Sequence, residues 1–414
     1  MKTKVLLTLS ILSSPLYALA NDPYNDFLMA AQSDVNAVAY DNASLPEMNK
    51  IGSWIENAQF RFNSGTPANN IDIKKNALVY ELRLEPKAWG QRAIEKEILK
   101  LRNDQQSNSY NQLFNSALQK RYIRLLDYFE LRSKLRYLLG TAEVLTQETG
   151  LLQSQVASEQ FNPGKLLDTE EALKQNHSLV KLYLIRLNTL QSELGFPLDT
   201  TDSIKTKHDT DWLVNVTEIH QLLSAYTVEN KFVPDVLNAQ LKLKLSQSEN
   251  KLIKAKQQLG VNLLTFEYGD RKNDELAFQI GINIPLGTSF DDIKNQNTLY
   301  TAQSQLNTSI VNTKQLLNEI SREVAWLAEN SKLIRNQIKR GGKNLQADYT
   351  KNNPFLMISL RKTIIDNKQK IANINRDALS LYVSHLALSG QLVQHPLRNW
   401  IQQGTPLLTQ EKDY

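Results

Sequence analysis

The sequence predicts a mainly α-helical chain with a small β part, in which long antiparallel helical hairpins join four short strands. Three observations predict this. Two pairs of segments alternate apolar and polar residues, each pair is followed by a long run of heptad-spaced apolar residues, and each run breaks at an Asn-Pro step and then resumes. The order hairpin, long helix, break and return helix occurs twice, offset by about 190 to 200 residues, which reads as an internal duplication.

The chain opens with Lys2 and Lys4, an apolar run from Val5 to Leu12, and Ala18-Leu19-Ala20. A positive start, a short apolar stretch and a small-residue site predict a secretory signal over 1–20, cleaved after Ala20. No cysteine is present, which excludes disulfides, thiolate metal sites, cysteine nucleophiles and an N-terminal lipid anchor. Beyond the signal no apolar run approaches the roughly 18 residues of a membrane-spanning helix, so any membrane insertion would use strands.

The first hairpin is predicted at about 57–63 and 77–85, in a first repeat covering 21–200. Successive strand side chains point to opposite faces. Gln59, Arg61, Glu81 and Arg83 therefore share a face, and Phe60, Phe62, Leu78, Tyr80, Leu82 and Leu84 share the other. The second hairpin, at about 262–269 and 276–284, lies in a second repeat covering 235–395. It places Glu267, Gln279 and Asn283 against Leu264, Phe266, Tyr268, Ile280 and Ile282. A soluble sandwich and a membrane barrel both produce this alternation.

The helical seams follow. Leu131, Leu135, Leu138, Ala142, Leu145, Leu152 and Val156 form one, and Leu306 through Leu317, Val324 and Leu327 to Ile338 form the other. Steps of three and four keep an apolar seam against a partner helix. The stretch from Arg92 to Val156 would span roughly 100 Å at 1.5 Å per residue, too long for a compact domain. The breaks fall at 161–167 and 349–356, where proline and its preceding residue interrupt a helix. Return seams resume through Leu173, His177, Val180, Leu184 and Leu187, and through Ile371, Ile374, Ala378, Leu381 and His385. A connector of weak periodicity is predicted over 201–234 and an irregular tail over 396–414.

No Gly-rich phosphate loop, His-Glu-x-x-His or nucleophile elbow is present, and the five histidines are isolated. His177 and His385 read as packing residues on their seams, and Lys339-Arg340-Gly341-Gly342-Lys343 as a helix irregularity. The net charge of +5 is spread along the chain without a basic patch, which argues against nucleic acid. No enzymatic activity, metal or cofactor is expected.

Three places in the chain resemble the TolC-like outer membrane efflux proteins. They are Val233-Pro234-Asp235 with the helix running into Val261, Ile280-Gly281-Ile282-Asn283-Ile284-Pro285-Leu286-Gly287, and Phe161-Asn162-Pro163-Gly164-Lys165-Leu166. The resemblance implies a homotrimer with a twelve-stranded outer-membrane barrel and a helical periplasmic tunnel. It also implies a duct that meets a periplasmic adaptor and an inner-membrane transporter, for efflux or type I secretion. Arg61, Glu81, Arg83, Glu267, Gln279 and Asn283 would then line the lumen. Asn162, Pro163, Gly164, Leu166 and Leu167 would form one docking tip, and Asn353, Pro354, Phe355 and Leu356 the other.

The second tip departs from the family pattern, with Asn352 at the usual glycine position. Asp168, Glu170 and Arg361 are the constriction candidates, with Arg361 placed to pair with the acids. The same acids also suit the N-terminus of the return helix through its dipole. A periplasmic coiled-coil adaptor or scaffold without a barrel is the alternative function, and a secreted filament subunit a further one.

Overall fold

The computed structural model describes residues 23–33, 53–65, 77–158, 161–206, 212–225, 233–258, 260–269, 275–284 and 290–404. The expected signal segment, most of both hairpin turns and Pro285 to Gly287 lie outside the described residues. In chain order the elements are α1 (Pro23–Met29), β1 (Ile55–Gly65), β2 (Ala77–Pro86), α2 (Gln91–Ser154), α3 (Pro163–Leu194), α4 (Thr201–Thr206) and α5 (Val216–Ala225). They continue with α6 (Pro234–Lys256), β3 (Gly260–Gly269), β4 (Glu275–Asn283), α7 (Phe290–Gln346), α8 (Asp348–Lys351), α9 (Pro354–Leu388) and α10 (Gln391–Gln394). This is a mainly helical chain with a small β part. None of the described helices is long and apolar enough to cross a membrane.

The strands form one antiparallel sheet in the order β1-β2-β3-β4. Tyr80 lies opposite Tyr268, Glu81 opposite Glu267 and Leu82 opposite Phe266, so the two hairpins join through β2 and β3. A bulge at Val261 to Leu263 faces Gly281, where a Cβ would sit 2.8 Å from Asn262 Oδ1. Glycine suits that close approach, where a Cβ would also lie 3.0 Å from Leu263 Cβ.

α2 and α7 both run from the sheet to the far end of the molecule. At 64 and 57 residues they span about 96 and 86 Å. Near the sheet, α6 packs between them; toward the far end the layer runs α3, α2, α9, α7. Halfway along, residues from α1, the connector and the tail close a core on α2. Tyr24 contacts Tyr128, Phe129, Phe196 and Trp212 with ring centroids 5.2 to 5.9 Å apart. Beneath it Arg132 pairs with Asp199 at 3.3 Å, and Asp199 also accepts from Tyr128 and Gln191. Burial holds the Tyr24 hydroxyl well above its usual pKa.

The described part of the tail, 396–404, is irregular and packed: Trp400 and Ile401 are buried, and Tyr122 donates to Arg398 O at 2.8 Å. The connector contains two short helices, α4 and α5. Three expectations are corrected. The run Lys339 to Lys343 lies inside an uninterrupted α7, where α9 comes close to Gly341: a Cβ there would lie 3.1 Å from Ile364. His177 is exposed, since the buried face of α3 runs through Thr169, Asn176 and Leu187 instead. Val156 lies beyond the end of α2 and is also exposed.

Candidate functional site

The sheet is inside out for a single chain. Along its apolar face, Phe60, Phe62, Phe278, Ile280 and Ile282 are exposed by half or more, and Leu276 by 75%. On the opposite face Glu81 is only 9% exposed and Thr265 only 3%. That polar face aligns Arg61, Glu81 and Glu267 in one row and Gln59, Arg83, Thr265 and Gln279 in the next. Asn283 extends it at the base, donating to Lys256 O at 3.4 Å. Arg83 pairs with Glu81, and Arg61 donates to Gln59 at 3.0 Å. The register of the described strands keeps Arg61, Glu81 and Glu267 on one face and Phe60, Leu82 and Phe266 on the other.

At the base of the sheet, Gly90 takes φ +79 and turns the chain into α2. Polar contacts fix the junction: Gln91 donates to Glu56 at 3.1 Å, and Lys256 pairs with Glu56 at 2.6 Å. Trp54 and Trp89 are exposed beside it. Sequence reading missed these two tryptophans, whose signal was position alone, one just before each strand or helix start.

Among the described residues the sheet ends at β1 and β4 without a further strand, and the far half of the helical layer likewise ends at α3 and α7. Both flanks carry an apolar stripe opposite their buried face. On α3 it comprises Leu179, Leu182 and Ile185; on α7 it includes Trp326 and Leu333. Ile185 stands about 33 Å from the start of α3 and Trp326 about 30 Å from the end of α7, at 1.5 Å per residue. Leu179 and Leu333 match at about 24 and 20 Å on the same measure. Measured along each helix from its tip end, the two stripes thus stand at similar distances.

The two breaks end side by side. Asn162 caps α3 by accepting from Lys165 N at 3.1 Å, and Asn353 caps α9 by accepting from Leu356 N at 3.1 Å. Pro163 and Pro354 follow at the first helical position, where no N–H is needed. Matching the two caps puts Gly164 against Phe355, so the residue that replaces the glycine is Phe355 and Asn352 precedes the cap. Leu167 is exposed, while Leu166, Phe355 and Leu356 are half-buried. Lys165 Nζ lies 4.6 Å from the Phe355 ring and links the two turns.

The constriction candidates do not converge. Asp168 is exposed, Glu170 accepts from Gln153 at 3.2 Å, and Arg361 donates to Gln147 at 2.9 Å rather than pairing with either acid. The carboxylate that the structure does bury near the tip is Glu148, on α2. It pairs with Lys362 of α9 and lies 3.9 Å from Lys165 of α3. One signal was present in the sequence: the α2 seam has no apolar residue at the step between Leu145 and Leu152, and Glu148 and Thr149 fill it.

No protein-family model matches the chain, and no curated protein matches it either. Solved structures do. The outer membrane protein VceC of Vibrio cholerae matches with a TM-score of 0.64 at 12% identity, covering 89% of this chain and 96% of its own. CusC, described as forming a transmembrane channel, matches with 0.58 at 13%, covering 90% and 92%. The CmeC outer membrane channel of Campylobacter jejuni matches with 0.56 at 12%, covering 89% and 86%. At these identities the likeness speaks to architecture, and on that ground the chain has the fold of the TolC-like outer membrane channels.

Proposed function

We propose that this chain is the outer-membrane duct of a tripartite efflux or type I secretion system, working as a homotrimer with a large periplasmic portion. One observation carries the reading: both the sheet and the helical layer are open, and both expose what a ring of copies would cover. A lone four-stranded sheet leaves backbone groups unpaired at β1 and β4, and in hydrocarbon only closure satisfies them. Closing it with copies turns the exposed face of Phe60, Phe278 and Ile282 toward lipid and the row of Arg61, Glu81 and Glu267 toward water. Trp54 and Trp89 would then stand at the membrane boundary. Head-to-tail contact of the α3 stripe with the α7 stripe of the next copy closes the tunnel by the same operation.

The paired Asn-Pro turns form the end farthest from the sheet, and we assign them the docking of the adaptor, with cargo supplied by an inner-membrane transporter. Asp168, exposed, and Glu170, which accepts from Gln153, would shape the charge at that mouth. The family resemblance and the likeness to solved outer membrane channels support this reading.

The test is assembly and conduction. The protein extracted from outer membranes should migrate as a heat-modifiable trimer and conduct in planar bilayers. Leu82→Arg, on the lipid face, should cost roughly 2–4 kcal/mol and deplete assembled protein, whereas Asn283→Arg should be tolerated. Equal depletion by both variants would refute the membrane assignment of the faces.

A further inference from the structure

We propose that a cavity at mid-height binds a single-chain amphipathic anion, with a carboxylate or sulfate head and an alkyl or aromatic body. The proposal does not depend on the duct reading. The cavity has a volume of about 310 Å³ and lies where α2, α9 and the segment leading into α5 meet, with Arg335 of α7 at its margin. That size falls at the lower end of small-molecule sites.

Its lining is mixed: Phe129 from α2, Val214 from the connector, and Ile371 and Leu379 from α9 supply apolar surface, with Ser133, Asn215 and Asn375 among them. The covering segment is fixed to the packed tail, since Val214 N–H donates to Ile401 O at 2.9 Å and Gln403 N–H to Trp212 O at 2.9 Å. The site therefore has a preformed wall.

Charge decides the class of ligand. The single carboxylate in the lining, Glu130, is already paired with Lys134 at 2.6 Å and with Arg376 at 2.9 Å. Arg376 is matched in turn by Asp127 and Asp377. Lys368 and Arg335 also line the cavity, and among the described residues neither has a carboxylate partner. The side-chain contact of Arg335 is with Ser331 Oγ on its own helix at 3.3 Å. Lys368 and Arg335 are exposed cations without a carboxylate partner among the described residues, and beside the apolar side chains of the lining they fit a head and a tail of one molecule. A cationic amphiphile would meet like charge, and a short anion would leave the apolar lining uncovered.

The test uses the full chain held in a nonionic amphipol, titrated calorimetrically with decanoate, decyltrimethylammonium and acetate. Decanoate should bind saturably at one site per chain, and the other two should not. Lys368→Glu combined with Arg335→Glu should weaken decanoate at least tenfold, with the melting temperature unchanged. Ala372→Trp, which fills the cavity, should abolish binding. Should either variant melt early, Lys368→Gln with Arg335→Gln decides, and a loss of affinity there supports the site. Absence of saturable decanoate binding to the unmodified chain, equal binding of the cation, or full affinity in the charge variants would overturn the proposal.

Discussion

The two return helices, α3 and α9, begin alike and end in different roles. Each starts at an Asn cap followed by proline, and each runs back along a longer helix. Yet α9 is packed between α2 and α7, whereas α3 packs along α2. In consequence Ile374, Ala378, Tyr382, Val383 and Leu386 of α9 are core, while Ile185 of α3 is 64% exposed. His385 and His177, each on a predicted apolar seam, meet the same divide, buried on α9 and exposed on α3. Position in the layer, more than the sequence of either helix, decides which one is core and which one keeps an exposed apolar stripe.

The largest expected effect would break that comparison outright. Ile185→Asp on α3, or Trp326→Asp on α7, should abolish trimers on crosslinking while leaving helical circular dichroism intact. Loss of helix content would mean that the stripes serve the single chain instead. Next, Leu386→Ala on α9 should lower unfolding stability by about 2–5 kcal/mol, the range for a buried leucine. Leu182→Ala on α3 should change denaturant unfolding of the unassembled chain far less, because its side chain is already partly in water.

A pH experiment sharpens the contrast. Burial depresses the His385 pKa from 6.5 to about 4. Between those values the unfolded chain binds a proton that the folded chain excludes, so stability falls as pH drops from about 6.5 and levels off below about 4. The full loss is on the order of 3 kcal/mol at about 1.4 kcal/mol per pKa unit. His385→Gln should flatten that part of the melting profile, and His177→Gln should leave it in place.

The smallest effect concerns what the two helices share. Asn162→Ala and Asn353→Ala should each cost about 1 kcal/mol, with serine restoring most of it. Unequal losses would show that the turns differ in more than their outer residues. One difference is already visible: the second turn is braced by Thr350 Oγ1 donating to Asn344 O at 2.6 Å, and Thr350 is fully buried.

Much of this architecture was legible in the residues. Period-two alternation assigned Arg61, Glu81 and Glu267 to one face and Phe60, Leu82 and Phe266 to the other, because a strand offers a side chain only two directions. The breaks were equally plain, since proline cannot continue a helix and asparagine caps one. Both signals are local, and local backbone geometry enforces them whatever the rest of the chain does.

Partners are another matter. A heptad seam reports that a face is apolar without naming the helix that covers it. Thus only the tertiary structure placed α9 between α2 and α7, joined Tyr80 to Tyr268 across the two hairpins, and left the α3 stripe uncovered. The same holds for charge. Asp168 and Glu170 looked like a constriction from their place beside a turn, but Glu148 is the carboxylate that is buried, because Lys362 and Lys165 arrive from two distant helices to neutralise it. Burial of a charge depends on counter-charges brought by folding, and no spacing along one helix encodes them.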